Sequence, residues 1–148
     1  MWGTAPAADS LTASEIDLIR ESFDRISVGL RFSEKFYERL FEIAPELRVL
    51  FPPDLSAQMR KLTEMLAALV DKLDRPHELA LTLEALGAQH RDYGVRPVHF
   101  APVGRALLVT LEGELGPSFD DATRRAWIGL YGLAASWMQQ SIPHERCA

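Results

Sequence analysis

Between Leu11 and Ile142 the apolar residues recur at steps of three and four, and each such run stops at a glycine or a proline. No stretch of four or more residues alternates as a half-buried strand does, so the chain is read as a string of helices. Thr12-Ala-Ser-Glu15 forms a capping box, with Leu11 and Ile16 spaced as a hydrophobic staple. The helix behind it buries Ile16, Ile19, Phe23 and Ile26, and Gly29 marks a bend. A second helix carries Phe32, Phe36, Leu40 and Ile43, with Tyr37 and Phe41 beside that face, and stops at Ala44-Pro45. Pro45 suits the first turn of a short third helix through Leu50, and Phe51-Pro-Pro-Asp-Leu-Ser is a loop.

Ser56 is expected to cap a fourth helix with Met59, Leu62, Leu66, Leu69, Val70 and Leu73 inward, ended by Asp74-Arg-Pro76. A fifth carries Leu79, Leu83, Leu86 and then His90 on one face before the pattern fails at Gly94. Pro97 starts a sixth, with Phe100, Val103, Leu107, Leu108, Leu111 and Leu115, and Gly116-Pro117 breaks it. Ser118-Phe-Asp-Asp121 is expected to cap the seventh and to set two carboxylates at its positive end. Trp127, Leu130, Tyr131, Ala134 and Met138 line its inner face, and Pro143 closes it. The class is all-α, with about seven helices.

A chain of 148 residues suits one domain with one core, and neither a repeat nor a linker divides it. The net charge of -5 offers no basic footprint for nucleic acid or an anionic membrane, and no apolar run approaches the length of about 20 that spans a bilayer. The first ten residues lack the charged start and apolar stretch of a signal peptide and read as a flexible tail. A single cysteine, Cys147, excludes an internal disulfide and fits a reducing, cytoplasmic setting.

The common catalytic signatures are missing. There is no phosphate-cradling glycine loop, no cysteine pair, no His-Glu-x-x-His and no paired Glu-x-x-His. His77 and His99 lie beside prolines and His144 near the end, where solvated or capping roles are usual. His90 is the one well-placed imidazole. Taken alone, a histidine at the end of a leucine-rich face is more often a cap or a satisfied core residue than a ligand.

Six stretches together change that balance: Phe36-Tyr-Glu-Arg-Leu-Phe41, Pro45-Glu-Leu-Arg-Val-Leu-Phe51, Gln58-Met-Arg-Lys-Leu62, Gln89-His-Arg-Asp-Tyr-Gly-Val95, His99-Phe-Ala-Pro-Val-Gly104 and Ala126-Trp-Ile-Gly-Leu-Tyr-Gly132. In this order and spacing the chain resembles a globin, of the bacterial single-domain type and similar to the haem domain of flavohaemoglobins. The resemblance implies a globin domain over residues 11–142, with tails at 1–10 and 143–148, folded around haem b. It implies that His90 is the proximal ligand of the iron, with its second ring nitrogen donating to a backbone carbonyl one turn back, that of Leu86. Phe51 matches the phenylalanine that packs on the haem, Tyr37 the distal tyrosine, and Gln58 and Leu62 the distal positions of the long helix. Leu86, Val95, Phe100 and Val103 are expected haem contacts, although any α-fold would place them in its core. Arg60 and Lys61 read equally as propionate partners and as a solvated face.

The function implied is reversible O₂ binding, with a phenol and an amide donating to the ligand. Nitric oxide and other diatomic ligands would enter the same pocket, and nitric oxide dioxygenation would need an external reductase. In flavohaemoglobins a tyrosine and a glutamate buttress the proximal histidine. The matching positions here are Phe100 and Ile142, whose side chains form no hydrogen bonds, and no reductase domain is expected after Ile142. A haem-based gas sensor, or a module serving a redox partner, is the alternative from another class.

Overall fold

The structure, a computed structural model, describes residues 11–140. Ile142, Pro143, His144 and Cys147 lie outside the described residues, as does the tail before Leu11. The described chain is helical throughout: α1 (Ala13–Ile26), α2 (Arg31–Ile43), a 3-10 helix (Pro45–Leu50), α3 (Ser56–Asp71), α4 (Pro76–Asp92), α5 (Phe100–Leu115) and α6 (Asp121–Gln139). Short 3-10 turns at Pro97–His99 and Gly116–Ser118 lead into and out of α5. The six α-helices and the 3-10 helix at Pro45–Leu50 match the seven helices that the glycines and prolines mark out. No helix among the described residues is long and apolar enough to cross a membrane.

The helix ends show which local rules hold. Thr12 and Glu15 form the capping box, with Glu15 N–H donating to Thr12 Oγ1 at 3.1 Å and Thr12 N–H donating to Glu15 Oε1 at 2.9 Å. Two expected caps are corrected. Ser56 is already helical, and the Asp54 carboxylate accepts from its N–H at 2.9 Å and from its hydroxyl at 2.8 Å. Aspartate is the stronger acceptor and stands two residues earlier, so the turn forms around it. At α6 the cap is Asp120, which accepts from Thr123 N–H at 2.9 Å, while Ser118 accepts instead from the Arg25 guanidinium at 2.7 Å.

The main packing pairs α2 with α5, and α6 with both α4 and α1. Trp127, Ile19, Leu40, Leu83 and Leu111 are fully buried at these contacts. Trp127 contributes its whole ring area and still satisfies its indole N–H, which donates to Ser22 Oγ on α1 at 2.8 Å. Arg20 of α1 donates to the carbonyls of Val70 at 3.2 Å and Asp71 at 3.0 Å, tying α1 to the last turn of α3.

Two glycines permit close approach. A Cβ on Gly87 of α4 would lie 2.6 Å from the Met138 carbonyl oxygen and 2.9 Å from its Cα, so α4 rests directly on the backbone of α6. A Cβ on Gly104 of α5 would lie 2.6 Å from the Tyr131 ring.

Candidate functional site

The helices enclose a cavity of about 550 Å³, within the range of small-molecule and cofactor sites. Its walls include Tyr37, Phe51, Gln58, Leu62, Leu86, His90, Val95, Phe100 and Val103; of the two candidate propionate partners Lys61 lines it and Arg60 does not. Most of the lining is apolar, and two of its polar groupings face the cavity from different helices, His90 on α4 and the pair Tyr37 and Gln58 on α2 and α3.

On the α4 wall, His90 is largely buried in the last turn. Its Nδ1 lies 2.6 Å from the Leu86 carbonyl oxygen. A carbonyl can only accept, so Nδ1 carries the proton and Nε2 keeps its lone pair. Burial pushes the imidazole pKa below its ordinary value, and the bond to Leu86 offsets this only in part, so the ring is neutral at pH 7.

The chain after His90 turns back by a Schellman motif: Val95 N–H donates to the His90 carbonyl at 3.0 Å and Gly94 N–H to that of Arg91 at 3.1 Å. Gly94 takes φ 88°, which an L side chain resists, and this lets Val95 return to the cavity wall.

On the α2–α3 wall, Gln58 Nε2 donates to Tyr37 Oη at 3.1 Å. Tyr37 is 5% exposed, and burial pushes its pKa up to about 12 against a smaller opposing effect of Gln58. The phenol therefore stays protonated. Because its oxygen accepts from Gln58, its own proton remains to be donated. The Tyr37 ring packs edge-on against Phe36 and Phe51, at centroid distances of 5.0 and 5.5 Å, and these contacts fix its direction.

Several cavity residues were not singled out for it. Tyr131, read only as an inner-face residue of its helix, lines the cavity and donates from Oη to the Phe100 carbonyl at 2.5 Å. The Phe100 side chain forms no hydrogen bond, yet its carbonyl anchors a phenol. Trp127, Leu107 and Ala134 also reach the wall. The usable signal was the alignment of Trp127, Tyr131 and Ala134 on one face of α6.

His99 serves as the cap expected beside Pro97, its Nδ1 accepting from Arg96 N–H at 3.0 Å, and it also lines the cavity. Lys61 reaches the same wall with Nζ 5.8 Å from the centre of the half-exposed Tyr93 ring.

A model of the family described as Globin matches residues 34–138. The chain belongs to the globin family. Membership implies haem binding, and with it the uptake of diatomic gases. Neuroglobin of Tetraodon nigroviridis is 30% identical over 89% of this chain and 92% of its own. Neuroglobin of Danio rerio is 30% identical over 88% and 91%. Among solved structures, an engineered carbene transferase made from RmaNOD, a Rhodothermus marinus protein assigned as a nitric oxide dioxygenase, superposes with a TM-score of 0.77. It is 27% identical, and the match covers 88% of this chain and 92% of that one.

Proposed function

We propose that this globin binds haem b with His90 as its iron ligand and takes up O₂ reversibly beside Tyr37 and Gln58. The observation that carries the reading is the His90 ring: a neutral imidazole, fixed in one tautomer by Leu86, on the wall of an apolar cavity that also holds a protonated phenol. One imidazole is the protein ligand that a haem iron would take, its other donors belonging to the macrocycle itself. Phe51, Leu62, Leu86, Val95, Phe100 and Val103 supply the apolar surface on which such a flat group packs. When bound, the group supplies reversible capture of a diatomic gas at its iron.

The chain's own residues would govern how long the gas stays. Tyr37 has a proton to donate, and Gln58 keeps that proton directed into the cavity by holding the phenol oxygen. With water excluded by Leu62 and the aromatic rings, such a bond is stronger than in solvent. We therefore read the site as one of high affinity and slow release.

Within the family we read the chain as the bacterial single-domain type, which the likeness to the R. marinus protein supports. The same likeness favours a second activity, conversion of nitric oxide and O₂ to nitrate with an external reductase returning the electron. Absorption spectra of the purified protein test the first reading. The ferrous form should take up and release O₂ reversibly, and a ferrous form whose spectrum O₂ leaves unchanged would refute it. Mixing the oxygenated protein with nitric oxide and assaying nitrate tests the second.

A further inference from the structure

The α2–α3 wall contains a hydrogen bond that the site as described does not use. Ser33 is fully buried, and its Oγ lies 2.7 Å from Thr63 Oγ1 on α3. Thr63 Oγ1 in turn donates to the Met59 carbonyl at 3.2 Å. A carbonyl can only accept, so when the threonine proton is on Met59 the donor between the two hydroxyls is Ser33.

A buried helical hydroxyl ordinarily spends its proton on the carbonyl four residues back, as Ser22 does on Leu18 and Thr110 on Ala106. Ser33 spends it on the neighbouring helix. Its location is specific. Ser33 lies one helical turn before Tyr37 on α2, and Met59 follows Gln58 directly on α3.

We propose that Ser33 and Thr63 are positioning residues: their hydrogen bond, passed on to the Met59 carbonyl, sets the register of α3 on α2 and thereby holds Gln58 within reach of Tyr37. Apolar packing between two helices is non-directional and tolerates small slides. A 2.7 Å hydrogen bond does not, since it weakens steeply with distance and angle. The functional consequence rests on the reading of Tyr37 and Gln58 given above; the geometric one does not.

Ser33→Ala and Thr63→Val test it with two readouts. In crystal structures of the variants, Gln58 Nε2 should move beyond hydrogen-bond distance of Tyr37 Oη. O₂ release should quicken roughly fivefold, the equivalent of losing about 1 kcal/mol. Thr63→Ser keeps the hydroxyl and should restore both. In a Gln58→Leu background, Ser33→Ala should add nothing to the release rate.

If the distance and the release rate both stay as in the unmodified protein, the proposal is overturned. It is also overturned if Ser33→Ala speeds release equally with and without Gln58. If Tyr37→Phe and Gln58→Leu themselves leave release unchanged, the reading of the distal pair fails, and the crystal distance still judges the clasp.

Discussion

The two polar walls of the cavity are built by opposite means. His90 is held from within its own helix, through a backbone carbonyl one turn back, and α4 is seated on α6 by direct backbone approach at Gly87 and Met138. Tyr37 is held from outside its helix, by Gln58 on α3 and by the rings of Phe36 and Phe51. The first arrangement is stiff and hard to adjust by single substitutions. The second is set by side chains and tunable one residue at a time. A binding protein gains from that division, since the group that retains a cofactor must not vary while the group that tunes a ligand can.

The largest break should come from the α4 wall. His90→Ala removes the single imidazole that we assign to the iron, and no other histidine among the described residues is a substitute in kind. His99 already accepts from Arg96 N–H, and His77 is exposed. The purified variant should show no Soret band where the unmodified protein shows one, and a full band in the variant would overturn the assignment.

The next largest should be Gly87→Ala. The new methyl would meet backbone atoms of Met138, which cannot rotate away, so the helices must part. Overpacking of this kind costs about 1–3 kcal/mol, and the upper end is expected here. Gly104→Ala offers the contrast, because its methyl meets the Tyr131 ring, a side chain that can shift. Denaturant unfolding should show the larger loss at Gly87. Equal losses would mean that the backbone contact is softer than its geometry indicates.

These glycines also mark what the sequence could and could not disclose. The helices were legible because Gly29, Pro45, Pro76, Gly94, Pro97 and Gly116 stand where one period stops and another begins. The His90–Leu86 bond was implied by the resemblance to globins, and the four-residue step within one helix makes it easy to form. A helix-interior glycine such as Gly87 looks from sequence like a simple propensity cost, since its benefit depends on Met138, which is distant in the chain. Tyr37 and Gln58 are 21 residues apart, and their hydrogen bond could not be read from spacing; the resemblance to globins alone suggested that the two share a pocket. The caps failed at Ser56 and Ser118 because an aspartate two residues away sets the local turn instead, Asp54 by accepting from the Ser56 N–H and Asp120 by capping α6 at Thr123. Ser33 was passed over because a lone serine inside an apolar helix face carries no periodic signal.

On the α2–α3 wall the effects should be graded. Tyr37→Phe removes the proposed donor and should speed O₂ release by about tenfold, as loss of about 1.4 kcal/mol of ligand stabilisation would. Gln58→Leu leaves the phenol but frees its direction, so its effect should be smaller than that of Tyr37→Phe. Stopped-flow displacement of O₂ measures both. An effect of Gln58→Leu exceeding that of Tyr37→Phe would make the amide the principal donor.

The smallest effect should appear at alkaline pH. Tyr37 has its pKa raised by burial to about 12 in the folded chain, against 10.0 for an ordinary tyrosine. Below pH 10 both states keep the proton, and this group gives no pH dependence. Between 10 and 12 the unfolded chain releases its proton first, so folding stability falls as pH rises. Two pKa units set an upper bound of about 2.7 kcal/mol. The pKa of about 12 already includes the opposing Gln58 bond, and relaxation of the wall reduces the expected loss to about 1 kcal/mol. Tyr131 is raised in the same direction by its own burial and adds a parallel loss, so the contribution of Tyr37 must be read as a difference. Urea unfolding of the unmodified protein and of Tyr37→Phe, at pH 9 and pH 11, provides it. The variant should lose less stability over that interval. If the two proteins lose the same amount, the phenol is not held protonated by its surroundings, and the contrast between a fixed α4 wall and a tunable α2–α3 wall loses its electrostatic half.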